Sequence, residues 1–286
     1  MQKERPIVEL VQGVLHRAGA HLSRYPERSE FESVLHDFLV GFDVGCVIDV
    51  GANVGGYARG LRGLGYAGRI VSFEPVSGTF AQLREIAAGD ALWETHRMAL
   101  GPSDGEAPMR VFPGHQNSTF SRPGEFAREW LPSALAEEHV ENVPLRRLDT
   151  LLADGTLDPG VPTLLKVDAE GYDWSVIEGA GERIRDFVGV QMELMVQPMW
   201  ENARPLGESV TRLAEMGFEP VSFSVVNRAR FSAIVIDGLF RNRRFAPKPG
   251  SEERMWNPAG MGLAPQQWDA AARAEADAVA ARRTDG

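Results

Sequence analysis

The chain has 286 residues, with 30 Lys and Arg against 40 Asp and Glu and a formal net charge of −10. That balance lacks the broad basic surface that nucleic-acid binding requires, so no nucleic-acid partner is expected. The one cysteine, Cys46, excludes an internal disulfide and a cysteine-built zinc site, and inside an apolar run it reads as a buried structural thiol. No stretch approaches the roughly 18 apolar residues of a membrane span. Charges at Lys3, Glu4, Arg5, Glu9 and Arg17 break up any signal-type segment near the start. A cytoplasmic protein is expected.

Residues 7–20 read as a helix with Ile7, Leu10, Val11, Val14 and Leu15 on one side, stopped by Tyr25-Pro26. A second helix is expected from Ser29, where Glu32 three residues later completes a capping box. Its apolar side is Phe31, Val34, Leu35, Phe38 and Leu39. The pair covers the sheet in the favoured reading, and a dimer face, hence a homo-oligomer, is the alternative. From Cys46 the pattern changes to short apolar strands separated by helices. Strands are expected at 46–50, 69–74 and 92–100, with helices up to Leu64 and over 76–88. Residues 101–145 carry many Gly and Pro. A strand at 109–112 and a helix over 125–140 are expected there, in an insertion that suits a lid or a surface excursion. Alternation resumes with a strand at 163–168, a helix over 172–184, a strand at 187–196 and a helix over 206–216. Strands at 218–226 and 233–236, joined by a short polar connection, form an antiparallel hairpin. The tail includes an alanine-rich helix candidate at 266–283.

This order predicts an α/β fold: a Rossmann-like, doubly wound, mostly parallel sheet with an antiparallel terminal hairpin and added N-terminal helices. The expected organisation is a helical extension over 1–45, a catalytic domain over 46–240 and a tail over 241–286.

Three places carry chemistry. Strand one ends in Gly51-Ala52-Asn53-Val54-Gly55-Gly56, a turn that lets a ligand approach the backbone. The dinucleotide fingerprint has glycine where Asn53 stands. Asp49, two residues before the first glycine, disfavours a pyrophosphate and suits a cationic group. Glu74 ends strand two, 25 residues after Asp49, where a carboxylate can accept hydrogen bonds from two ribose hydroxyls. Lys166-Val167-Asp168-Ala169-Glu170-Gly171 ends the strand at 163–168, and Glu193 lies on the next one. These acids suit a divalent cation such as Mg2+ on Asp168 and Glu193, a general base, or a plain salt bridge to Lys166.

The run from Val47 to Glu74, with Asp49-Val50-Gly51-Ala52-Asn53, Phe73-Glu74-Pro75 and Ala99-Leu100-Gly101, resembles the FkbM family of methyltransferases. Leu148-Asp149-Thr150-Leu151 and Lys166-Val167-Asp168-Ala169-Glu170-Gly171 match its later motifs, with Ala169 where many members carry Val. The resemblance implies S-adenosylmethionine as cofactor. It places Asp49, Gly51 and Asn53 around the methionine end, Glu74 on the ribose, and Ala99 and Leu100 against the adenine. It also implies O-methylation of a small acceptor, a sugar or natural-product hydroxyl.

An alcohol is a weak nucleophile and needs a base or a metal. Asp168 is the first candidate, followed by Glu193 and Glu170. His115, in a loop that can close over the pocket, is a further candidate base. Asn117 and Ser118 can orient a ligand, and Tyr172 and Trp174 can wall the acceptor site or belong to the core. A nicotinamide-dependent oxidoreductase and a non-catalytic binding protein on the same fold are the competing readings.

Overall fold

The computed structural model describes residues 29–112, 118–133, 135, 139–229, 231–249 and 251. The helix expected over 7–20, the one over 266–283, and the loop residues His115 and Asn117 lie outside the described residues.

Helix α1 (Glu30–Gly41) begins at the expected capping box: the Glu32 amide donates to Ser29 Oγ at 3.1 Å, and the Ser29 amide donates to Glu32 Oε2 at 2.7 Å. Strand β1 (Cys46–Val50) leads to α2 (Gly56–Gly63), β2 (Arg69–Phe73), α3 (Ser77–Ala87) and β3 (Trp93–His96). After an excursion come α5 (Leu148–Ala153), β7 (Thr163–Val167), α6 (Asp173–Ala180) with a 3-10 turn (Gly181–Asp186), β8 (Gly189–Met195), α7 (Leu206–Glu215), β9 (Phe218–Ala229) and β10 (Ser232–Asn242). The excursion itself contains β4 (Ala99–Leu100), β5 (Gly105–Val111), α4 (Glu125–Trp130) and β6 (His139–Arg146).

Seven strands form one sheet in the order β3-β2-β1-β7-β8-β10-β9. All neighbours are parallel except β10, which runs antiparallel to both β8 and β9. The chain winds outward from β1 through β2 and β3, then returns to place β7 on the other side of β1. That reversal opens a crevice at the carboxyl ends of β1 and β7, the switch point where doubly wound sheets bind ligands. Among the described residues no helix is long and apolar enough to cross a membrane.

Two expectations need correction. The strand expected over 92–100 is broken. β2 stops before Pro75, which has no amide for the ladder, so β3 loses its partner after His96. The chain then joins a second sheet of three strands, β4-β6-β5. The helix expected over 125–140 ends at Trp130, because Pro132 disfavours helical backbone at Leu131, whose φ and ψ are −125° and 40°. Residues 139–146 extend as β6 and pair with β5.

Alternation along the strands sorts side chains to two faces. One face, with Ile48, Val50, Val71, Phe73, Leu165, Val167, Val190 and Met192, packs on Leu148 and Leu151 of α5, Trp174 and Ile177 of α6, and Leu213 of α7. The other, with Val47, Ile70, Leu164 and Leu239, packs on Phe31, Leu35 and Phe38 of α1, Leu61 of α2 and Leu83 of α3. Helix α1 therefore covers the sheet.

On this second face the layer nearer the carboxyl ends is polar. Ser72, Asp49, Lys166 and Gln191 are register partners across β2, β1, β7 and β8. The Trp93 indole donates to Ser72 Oγ at 3.0 Å, and Ser72 Oγ donates to Asp49 Oδ2 at 3.2 Å. Lys166 Nζ lies 3.1 Å from Asp49 Oδ1, with the Tyr57 ring centroid 5.3 Å away. Tyr57 donates to Gln191 Oε1 at 2.7 Å. Asp49 is fully buried and Lys166 nearly so. Burial works against the ammonium, but Asp168 and Asp49 outweigh it and hold its pKa above the usual lysine range. Removing one member of a buried ion pair strands the other without solvent. Lys166→Met is therefore expected to lose about 3–5 kcal/mol in urea unfolding, and the double variant with Asp49→Leu to recover most of it. Equal stability of Lys166→Met and wild type would contradict this account.

Candidate functional site

Two residues beyond the polar layer, Glu74, Gly51, Asp168 and Glu193 follow the last residues paired in the parallel ladders of β2, β1, β7 and β8 at the carboxyl edge of the sheet, with Asp237 of β10 opposite Glu193. A cavity of about 330 Å³ opens there. Glu74, Met98, Ala99, Leu100 and Met109 line it, as do Asp168, Glu170, Glu193, Ser118 and Asn227, together with Tyr172 and Phe120, which pack against the cluster of Ala99 and Met109.

The Glu74 carboxylate is buried and fixed at both oxygens. The Asn53 amide donates to Oε2 at 3.0 Å and the Val76 amide to Oε1 at 2.9 Å. Burial raises its pKa to about 7, with these two amides pulling the other way. Asn53 adopts left-handed backbone, with φ of 50°, and its side chain accepts from the Val54 amide at 2.7 Å. The turn is thus built around Glu74. Gly51 has a φ of 74°, and a Cβ there would lie 1.8 Å from the Asp168 carbonyl oxygen. Only glycine lets β1 and β7 approach this closely at the crevice floor.

The second acidic loop is held as firmly. The Asp173 carboxylate accepts from the amides of Ala169 and Gly171 at 3.0 and 3.1 Å, and burial raises its pKa to about 6. Thr119 Oγ1 donates to the Glu170 carbonyl at 2.6 Å, tying the excursion to this loop. Gly171, with φ of 83°, has the Trp200 ring where a Cβ would stand. The Asp168 side chain is 40% exposed, with Lys166 Nζ 3.3 Å from its Oδ2. Burial, then the neighbouring Asp168, raise the pKa of both Glu170 and Glu193 well above the carboxylate range. Glu193 Oε2 and Ser118 Oγ are buried without a hydrogen-bond partner, and both residues line the cavity.

Gly51, Asn53, Glu74, Ala99, Leu100, Asp168, Glu170 and Glu193 all line this one cavity. Asp49 does not: it lies one layer below and reaches the cavity edge only through Lys166. The magnesium expectation finds no support. Among the described residues no group of three or more His, Cys, Asp or Glu is placed to hold a metal ion, and the cation beside Asp168 is Lys166. Of the two aromatics proposed as an acceptor wall, Tyr172 lines the cavity, whereas Trp174 is core, its indole donating to Ser209 Oγ at 2.9 Å.

Sequence reasoning did not name Met98, Met109, Phe120, Val226 or Asn227 as lining residues. Met109, on β5, comes from the second sheet, Phe120 from the excursion beside it, and Val226 and Asn227 from β9, next to the hairpin turn. A turn this tight makes Gly51→Ala diagnostic. It is expected to lower the urea midpoint and abolish ligand binding in the crevice, both read on the same purified protein. Unchanged stability would mean that β1 and β7 are not in contact there.

Comparison with the curated proteins finds no significant match. Among solved structures, fibrillarin from Aeropyrum pernix, in complex with natively bound S-adenosyl-L-methionine, is 12% identical, with 73% of this chain and 74% of that chain covered and a TM-score of 0.39. An rRNA methylase from Streptococcus thermophilus is 11% identical over 76% of this chain and 97% of that one, with a TM-score of 0.39. A Streptococcus agalactiae protein of the NADB-Rossmann superfamily is 10% identical over 76% and 69%, with a TM-score of 0.41. These are likenesses of chain path at low identity, and the assignment rests on the family comparison. Residues 49–220, more than half of the chain, match the methyltransferase FkbM domain. The chain belongs to the FkbM family of methyltransferases.

Proposed function

We propose that this S-adenosylmethionine-dependent methyltransferase methylates a hydroxyl group of a small acceptor, a sugar or a natural product. The observation that carries the reading is the division of the cavity. Glu74 follows β2 beside the apolar cluster of Val76, Ala99 and Met109, and the strand order places Asp168, after β7, and Glu193, on β8, on the far side of β1. Each Glu74 oxygen keeps a lone pair beyond its backbone amide and can accept from a ribose hydroxyl. Ala99, Leu100 and Met98 supply the apolar surface an adenine needs, and Gly51 and Asn53 the backbone approach for the methionine end.

S-adenosylmethionine supplies a methyl group on a cationic sulfur, and its transfer leaves a neutral thioether. The protein's task is alignment and proton removal. The acceptor oxygen forms the bond to the methyl carbon as the carbon–sulfur bond breaks, and its proton passes to a carboxylate. Asp168 is the base in this reading, because it is the most accessible acid of the group and Lys166 fixes its position. Glu193 and Glu170 are the next candidates.

Titration of S-adenosylmethionine and NAD separately into the protein tests the cofactor assignment. Saturable binding of the first alone is expected, and Glu74→Gln is expected to weaken it about 10- to 100-fold, the worth of hydrogen bonds to a charged group. NAD binding without S-adenosylmethionine binding would restore the oxidoreductase reading. The raised pKa of Glu74, about 7, adds a pH signature. Near neutrality the carboxyl is partly protonated, while acceptance from two hydroxyls requires the carboxylate. Binding therefore releases a proton and weakens as pH falls below that value. Calorimetry in buffers of different ionisation enthalpy reads the release, and its persistence in Glu74→Gln would assign it elsewhere.

A further inference from the structure

Every titratable side chain lining the cavity among the described residues, apart from Tyr172, is an acid: Glu74, Asp168, Glu170 and Glu193. Among the described residues no Lys, Arg or His lines it. Lys166, below the floor, is already flanked by Asp49 and Asp168 at 3.1 and 3.3 Å. The strand order then decides what each acid can meet. Glu74 follows β2 and Glu193 lies on β8, three strand spacings or about 14 Å apart, with Asp168 between them. Glu193 therefore lies beyond Asp168 from the nucleoside end, where an acceptor enters. Its Oε2 is buried and unpartnered, and so is Ser118 Oγ on the excursion side of the same cavity. A buried polar atom without a partner carries an uncompensated desolvation cost, which a ligand able to donate hydrogen bonds relieves on binding.

Resting on the methyltransferase reading above, we propose that the acceptor is an amine-bearing polyol whose protonated amino group is bound by Glu193, with Glu170 beside it and Ser118 accepting from a neighbouring hydroxyl. A carboxyl pushed up by burial and by Asp168 is stabilised in its ionised form by an incoming ammonium. An amine held as ammonium has no lone pair, so it serves recognition, and the attacking atom remains a hydroxyl oxygen near Asp168. Phosphorylated and carboxylated acceptors meet Asp168, Glu170 and Glu193 at this end and are rejected, since like charges in a poorly solvated site repel strongly.

The test uses the full chain saturated with S-adenosylhomocysteine and titrated with glucosamine, glucose and glucose 6-phosphate. Titration of S-adenosylmethionine alone, done first, judges the methyltransferase reading separately. Glucosamine is expected to bind about tenfold more tightly than glucose, and glucose 6-phosphate not at all. Glu193→Gln keeps the side chain's shape and removes its charge. It is expected to reduce the amine preference to below about twofold while leaving S-adenosylhomocysteine affinity unchanged. Equal binding of glucose and glucosamine, tighter binding of the phosphate, or no saturable binding of any of the three overturns the proposal. So does a Glu193→Gln variant that loses S-adenosylhomocysteine affinity and keeps the sugar ranking, because the carboxyl would then serve the methionine end.

Discussion

The site depends on one buried cation. Lys166, on strand β7, stands beside β1 with its ammonium within reach of a buried acid, Asp49, and of a half-open one, Asp168. It also lies 3.4 Å from the carbonyl of Gly51. An uncompensated carboxylate at the position of Asp49 would be untenable in an apolar interlayer. The lysine removes that problem and at the same time fixes the two segments that must converge, the glycine turn and the acidic loop. Such a pair adds little net stability over a well-packed apolar equivalent. Its effect is on geometry: it ties the carboxyl ends of the two strands that flank the switch point.

The fold was largely legible because its signals are local. Apolar runs of five or so residues, each ending in Gly, Glu-Pro or Asp, mark buried parallel strands, and the Ser29–Glu32 box fixed the start of α1. The excursion was less legible for a physical reason. Its strands β4, β5 and β6 form a small sheet whose pattern of half-buried and exposed residues carries weak periodicity, and partner choice is a long-range property. Ala99-Leu100 reads as the end of β3 until the loss of a partner beyond Pro75 is taken into account.

The site shows the same division. Glu74, Asp168, Glu170 and Glu193 were visible because an acid at the end of an apolar strand is conspicuous. Asp49 was visible too, but its depth below the cavity was not. Its position on β1 places it on the second face of the sheet, and only the register with Lys166 shows that it acts one layer beneath the cavity. The metal reading on Asp168 and Glu193 finds no support, and the cation beside Asp168 is Lys166. A lysine inside a strand reads as an edge or surface charge in sequence, and its burial between two carboxylates emerges only when β7 is laid beside β1.

The two ends of the cavity are also built from different material. Glu74, Gly51 and Asn53 rest on adjacent central strands, and their geometry is set by ladder hydrogen bonds and by backbone amides directed at one carboxylate. The rest of the lining includes side chains from elsewhere: Ser118 and Phe120 from the excursion, and Val226 and Asn227 from β9. Thr119 and Ser121 lash the excursion to the carbonyls of Glu170 and Gly171, so its position follows the acidic loop. A change in these outer segments can reshape the acceptor end while the hydrogen bonds at Glu74 stay as they are. In the proposed reading, specificity for the acceptor is therefore separable from cofactor binding along the length of the sheet edge, with Asp168 at the boundary between them.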